Sequence, residues 1–336
     1  MLFLSSDLVG STSYKQKTKG WQKIFLSFYR ELPQMIAEAS RKIDPDAANA
    51  FHLWKAVGDE LVFEVDITSE NDVSRAVRVW LLAMSMYEEQ VLAEAGLALK
   101  GGAFIATFPG PDSESTIPRK PDYEDSDGAV VLLNQQALTG QRAYTKYLYD
   151  YFGPSIDTGF RVFGLSSRRY FTMSIEVAWA VAGAARTADT HKQGQDLHHV
   201  SDFVFHGSHA LKGVWNGRDY PVFAVDRERG DPIHEALAKL GGGPLSSEHV
   251  IDVCHACATD ESWPFALYLP NSSNENFTTK PDDAMADLLA SETSMEGAET
   301  EPGGDQGAGL EAAPPLGGPQ DAGPTEDKPG GAESAA

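Results

Sequence analysis

Apolar positions along the chain fall into two patterns: short runs that suit buried strands, and three- and four-residue spacings that suit amphipathic helices. Residues 2–9 (LFLSSDLV) read as a short buried strand, followed by Gly-Ser-Thr as turn and N-cap residues for a helix. Trp21, Ile24, Phe25, Phe28, Leu32 and Ile36 then share one face of that helix. Residues 50–55 and 61–65 are two strand-like runs joined by a tight turn at Gly58, a hairpin. Asn71 and Asp72 can cap a second helix, with Val73, Val77, Trp80, Leu81, Met84 and Val91 on its apolar face. LALKGGAFIATF after it reads as a strand.

Residues 109–128 hold four prolines, many acids and almost no aliphatic side chains, which predicts an exposed loop. Residues 129–147 read as helix, LYDYFG as extended, and SIDTGFRVFGLSS as a helix start capped by Ser155. RRYFTMS, SDFVFHGSHAL and DYPVFAV read as strands, with SIEVAWAVAGAARTAD a helix between the first two. The order βαββαβ, followed by further helix and strand, predicts a sheet covered by helices, α/β or α+β. Residues 227–280 carry no clear period. Residues 281–336 lack aromatics and are rich in Gly, Pro, Ala, Ser and acids, so they are expected to be a disordered acidic tail.

Charge sharpens this division. The chain of 336 residues carries a net −22; the tail holds thirteen Asp and Glu against the single Lys328, which leaves −10 for the rest. Lys and Arg are scattered, which argues against a nucleic-acid surface. Cys254 and Cys257, in CHAC, are the only cysteines, too few for a disulfide framework, so a reducing, cytoplasmic setting is expected. The apolar stretches are too short to span a membrane, and the N-terminus lacks the pattern of a secretory leader.

Three segments place acids where a fold would rather not have them: Asp7 within the first strand, Asp59 at the hairpin tip near Lys55, and Asp150, Asp157 and Arg161 in YDYFGPSIDTGFR. If the first strand lies beside the hairpin, Asp7 and Asp59 become neighbours, and a divalent cation between two carboxylates would relieve their repulsion. Mg²⁺ suits such a site when phosphate oxygens complete its shell. Asp157 and Arg161 are four apart and share a helix face, as a phosphate-binding arrangement or as an ordinary surface pair. Lys100 can approach a triphosphate or serve as an edge-strand charge. CHAC could join a zinc site with His191, His198 or His199, or consist of unligated thiols.

FLSSDLVGST, KAVGDE and DYFGPSIDTGFR together resemble the three signatures of the class III nucleotidyl cyclases, in order and at the family's spacing. The resemblance spans residues 1–161, with LKGVWNGRDYPVFAV near residue 226 similar to the family's closing part. It implies an α+β fold with a ferredoxin-like βαββαβ core over residues 1–226, an extension of unknown role over 227–280, and the tail over 281–336. It implies Asp7 and Asp59 as metal-binding acids with the Leu8 carbonyl, holding two Mg²⁺ or Mn²⁺ ions. Lys55 and Asp150 match the base-reading pair, Asp157 stands where the family has a ribose-orienting Asn, and Arg161 matches the residue that stabilises the α-phosphate. A head-to-tail homodimer with shared sites is implied as well. The acid at 157 and the compact chain resemble most the pyrimidine cyclases of bacterial Pycsar anti-phage systems. Those make cyclic UMP or cyclic CMP for a separate effector, and Phe51 or Trp54 would narrow the pocket for a pyrimidine. Adenylate or guanylate cyclase and an inactive nucleotide-binding module are the alternatives.

Overall fold

The computed structural model describes residues 1–44, 50–124, 128–186, 203–228, 231–233, 236 and 245–299. Strand β1 (Leu2–Val9) occupies the middle of an eight-stranded sheet. The hairpin β2 (Phe51–Val57) and β3 (Glu60–Val65) lies on one side of it, and β4 (Ala98–Lys100) and β5 (Gly102–Ile105) lie on the other. The sheet continues through β8 (Tyr170–Met173), β10 (Asp219–Asp226) and β9 (Phe203–Ala210), with only β5 and β8 parallel. Helices α1 (Ser11–Lys17) and α2 (Gln22–Ile43) connect β1 to β2, and α3 (Glu70–Tyr87) connects β3 to β4. Each connection passes over an intervening strand, so this half of the molecule is the split βαββαβ arrangement of an α+β, ferredoxin-like core.

Side chains of β1 alternate between two apolar layers, as a sheet buried on both faces requires. Leu2, Leu4 and Leu8 enter the large core under α2, α3 and α6 (Ile175–Arg186), whereas Phe3 joins Val62, Phe104, Ile156 and Phe163 under α5 (Pro154–Gly164). Gly159 lets α5 approach that second face. A Cβ there would stand 2.1 Å from the Phe104 ring.

The apolar stripe of α2 is buried as its spacing predicts, at Phe25, Phe28, Leu32 and Ile36. The helix does not begin at Gly-Ser-Thr, however: α1 ends at Lys17, and a turn through Gly20, at φ 76°, separates it from α2. The cap of α3 is Ser69 rather than Asn71 or Asp72, with the Asp72 amide donating to its hydroxyl at 3.3 Å and its own amide donating back to Asp72 at 3.0 Å. The segment expected as an exposed loop contains β6 (Ser113–Pro118), paired antiparallel with β7 (Tyr147–Phe152). Asn134, on α4 (Val130–Thr139), helps hold this largely polar strand by accepting from the amide and hydroxyl of Thr116.

Ser155 is not the cap of α5 but lies in its first turn. The cap comes from 43 residues upstream, where the buried Asp112 carboxylate accepts from the Ser155 amide at 2.9 Å and from the Thr107 amide at 3.0 Å. Helix α7 (Ser247–Ala258) packs on α6 through Val250, Cys254 and Cys257. Phe265, Leu269 and Phe277 belong to the same core, so within the stretch without a period residues 259–280 run as a strap over it. Both thiols of CHAC are free and buried, and burial pushes Cys257 up to about 11, away from the thiolate that zinc needs. His191, His198 and His199 lie outside the described residues. Within the stretch expected to be disordered, residues 286–299 form α8 (Ala286–Glu299), and residues 300–336 lie outside the described residues. Among the described residues no helix is long and apolar enough to cross a membrane.

Candidate active site

Asp7 stands directly opposite Glu60 on β3 and opposite Lys100 on β4, so the three side chains share one face of the sheet. Lys100 Nζ lies 2.9 Å from Asp7 Oδ2. Lys100, on a strand paired only with β1 among the described residues, is the counter-ion of Asp7. Burial holds the Asp7 carboxyl above the ordinary range, Lys100 opposes this, and the negative charge of Asp59 adds to it. Glu60 is likewise raised by burial, with the Ser5 hydroxyl opposing and Asp7 and Asp59 contributing.

Asp59 reaches this cluster because Gly58 turns the hairpin at φ 62°. Three elements hold the tip: the Leu8 amide donates to the Asp59 carbonyl at 3.3 Å, the Ser11 hydroxyl donates to the Asp59 carboxylate, and the Tyr29 hydroxyl donates to the Gly58 carbonyl. The Leu8 side chain is buried in the core and its amide is engaged by Asp59, so its carbonyl is the one group it could offer a ligand. Two acids 52 positions apart thus come within electrostatic reach of each other, with Glu60 directly opposite Asp7. Reading the sequence missed Glu60, although it follows Asp59 directly.

A second group lies on the same sheet face. Lys55 Nζ is 2.8 Å from Asp150 Oδ1 and 3.0 Å from Oδ2, bringing β2 and β7 together. Asp150 Oδ1 also accepts from Trp54 Nε1 at 3.0 Å and from the Tyr151 amide at 2.9 Å. The register of β2 shifts between Leu53 and Lys55, a bulge that lets Trp54 and Lys55 use the same side of the strand. Helix α5 meets this pair through Phe160, whose ring centroid is 5.8 Å from Lys55 Nζ. On that helix Arg161 donates to the backbone carbonyl of Asp157, one turn earlier, and the Asp157 side chain is exposed. Among the described residues no hydrogen bond or ion pair joins the Asp7–Asp59 cluster to Lys55 and Asp150.

Several solved structures are similar to this chain in overall fold. The adenylyl cyclase CyaB from P. aeruginosa is 15% identical, with 68% of this chain and 95% of that chain covered and a TM-score of 0.45. The guanylyl cyclase Cya2 is 15% identical, with 69% and 94% covered and a TM-score of 0.41. The guanylate cyclase domain of RhGC from Catenaria anguillulae, in complex with GTP, is 13% identical, with 68% and 96% covered and a TM-score of 0.39. No protein-family model matches the sequence, and no curated protein matches it.

Among the described residues no group of three or more His, Cys, Asp or Glu forms a ready metal cage. Two carboxylates and a backbone carbonyl are hard oxygen donors, a set that fits Mg²⁺ or Mn²⁺ when water and phosphate oxygens supply the remaining positions. Burial and the charge of Asp59 both disfavour an ionised Asp7, and a cation bound there would oppose both. The Lys55–Asp150 pair offers a cation and a carboxylate side by side, suited to a ligand edge that carries both an acceptor and a donor.

Proposed function

We propose that the chain is a nucleotidyl cyclase that converts UTP to 3′,5′-cyclic UMP and pyrophosphate. The observation that supports the reading is that Asp59 lies within electrostatic reach of Asp7, which shares the sheet face of Lys55 and its partner Asp150. Asp7, Asp59 and the Leu8 carbonyl would hold two Mg²⁺ or Mn²⁺ ions, which when bound supply positive charge against the triphosphate and acidify the ribose hydroxyl. Lys55 and Asp150 read the base edge, Asp157 meets the ribose, and Arg161 stabilises charge on the α-phosphate. In the reaction the ribose 3′-oxygen forms a bond to the α-phosphorus, the bond from that phosphorus to the β-phosphate bridging oxygen breaks, and the hydroxyl proton passes to solvent. Positioning and electrostatics supply most of the rate.

The chain works as a head-to-tail homodimer, in which the acids of one protomer face the base-reading pair and Arg161 of the other; among the described residues no hydrogen bond or ion pair joins the two groups within one protomer. Trp54, crowded against Lys55 and Asp150, favours a small base. In this reading residues 1–226 are the catalytic domain, and cyclic UMP acts as a second messenger to a separate effector in anti-phage defence, within the cytoplasm.

The test is turnover of purified full chain with Mn²⁺ and each of the four nucleoside triphosphates, the products separated by chromatography. Cyclic UMP as the main product supports the reading, and cyclic CMP assigns the other pyrimidine. Cyclic AMP or GMP as the main product overturns the pyrimidine assignment. No cyclic product from any of the four overturns the cyclase reading in favour of a nucleotide-binding module.

A further inference from the structure

We infer that Trp54 is a positioning residue that sets base selectivity by fixing which oxygen of Asp150 faces the ligand. The inference rests on the cyclase reading above and deepens it.

The Asp150 carboxylate is unequally used. Oδ1 accepts hydrogen bonds from Trp54 Nε1 at 3.0 Å and the Tyr151 amide at 2.9 Å, whereas among the described residues Oδ2 accepts only from Lys55 Nζ at 3.0 Å, an ammonium that also lies 2.8 Å from Oδ1. An ionised carboxylate offers about four acceptor directions. Both directions on Oδ1 are filled, so the free one lies on Oδ2, and a base N–H is received there alone. Lys55 spends one of its three N–H donors on the same carboxylate and can turn another to a base oxygen or ring nitrogen. One acceptor and one donor in fixed relation form a selective reader, provided the carboxylate cannot rotate.

Trp54 supplies that restraint. Its indole is packed against Phe3 at 4.8 Å, Tyr151 at 5.4 Å and Phe160 at 5.8 Å between ring centroids, so Nε1 is held in place. Lys55 Nζ sits 4.0 Å from the same ring, a cation–π contact that orients the ammonium as well. A single residue thus aims both members of the reading pair. The bulge in β2 is what makes this available, because a regular strand would turn Trp54 to the opposite face from Lys55.

The test compares full-length wild type with Trp54→Phe, which keeps a packed ring and removes the donor, and with Trp54→Leu, which removes the ring. Two readouts are taken with Mn²⁺: kcat and KM for each of the four triphosphates, and equilibrium binding of the four 3′-deoxynucleoside triphosphates, which cannot cyclise. Thermal melting monitors the fold. Trp54→Phe is expected to reduce discrimination between the preferred base and the others by about tenfold in both readouts, mainly through KM, with melting nearly unchanged. Trp54→Leu is expected to lose no less discrimination even where its melting falls further. Unchanged discrimination in Trp54→Phe overturns the inference. So does a loss that appears only in Trp54→Leu and follows its melting temperature. If wild type binds the deoxynucleotides selectively yet forms no cyclic product, the cyclase reading fails while the binding arm still decides the role of Trp54. If wild type binds none of them, both fall.

Discussion

Glu176 offers a direct measure of how the core treats a charge. It lies in the first turn of α6, fully buried, and its Oε1 has no hydrogen-bond partner. Burial pushes its carboxyl up to about 7 from the usual 4.5, with its own amide and Ser174 opposing and Asp112 adding. A raised carboxyl binds its proton more tightly in the folded than in the unfolded chain. Stability is therefore lost as pH rises through the interval between the two values. A shift of this size corresponds to roughly 3 kcal/mol at one pKa unit per 1.4 kcal/mol, most of it lost between pH 5 and pH 8. The buried Met1 amino group works in the opposite direction, since burial lowers it from 8.0 to about 6 and its contribution grows as pH rises. Wild type alone would show a shallow profile, so the difference from Glu176→Gln isolates the carboxyl. Urea unfolding at pH 5, 6, 7 and 8 should give similar stabilities for the two proteins at pH 5. At pH 8 the variant should lead by about 2–3 kcal/mol. A difference that does not change with pH, or one that favours wild type as pH rises, would refute the reasoning.

Two further substitutions test the support of the site. Gly159→Ala should destabilise the protein by about 1–3 kcal/mol, because Phe104 is stacked on Phe3 and has little room to give; thermal melting checks it. Asp112→Ala should cost about 1–3 kcal/mol by orphaning the Thr107 and Ser155 amides, with Asp112→Asn recovering part of the loss; a denaturant series on both variants measures the two effects.

Elements with a strong local pattern were legible in the sequence. The alternation in β1, the hairpin and the apolar stripes of α2 and α3 follow from burial alone, and with them the βαββαβ order. Strand β6 was not legible, because its stabilising partners are Asn134 and a strand 30 residues away rather than an apolar face. The cap of α5 had no local signal, since Asp112 approaches it through space. The strap after α7 hides for a similar reason: Trp263, Phe265 and Phe277 pack individually against Tyr220 and Trp179, which leaves no period. At the site, isolated acids in apolar surroundings marked Asp7 and Asp59, but the ion pair that holds Lys100 to Asp7 depends on strand register, which only the fold reveals.

The account rests on Asp7 and Asp59 acting together as ligands for a cation at a triphosphate. The most direct measurement is cyclic nucleotide formation by Asp59→Ala beside wild type, with Mn²⁺ and the preferred triphosphate, at equal folded fraction by melting. The variant should melt within a few degrees of wild type and lose product formation by about a thousandfold or more. Retention of wild-type turnover by a folded Asp59→Ala chain would contradict it.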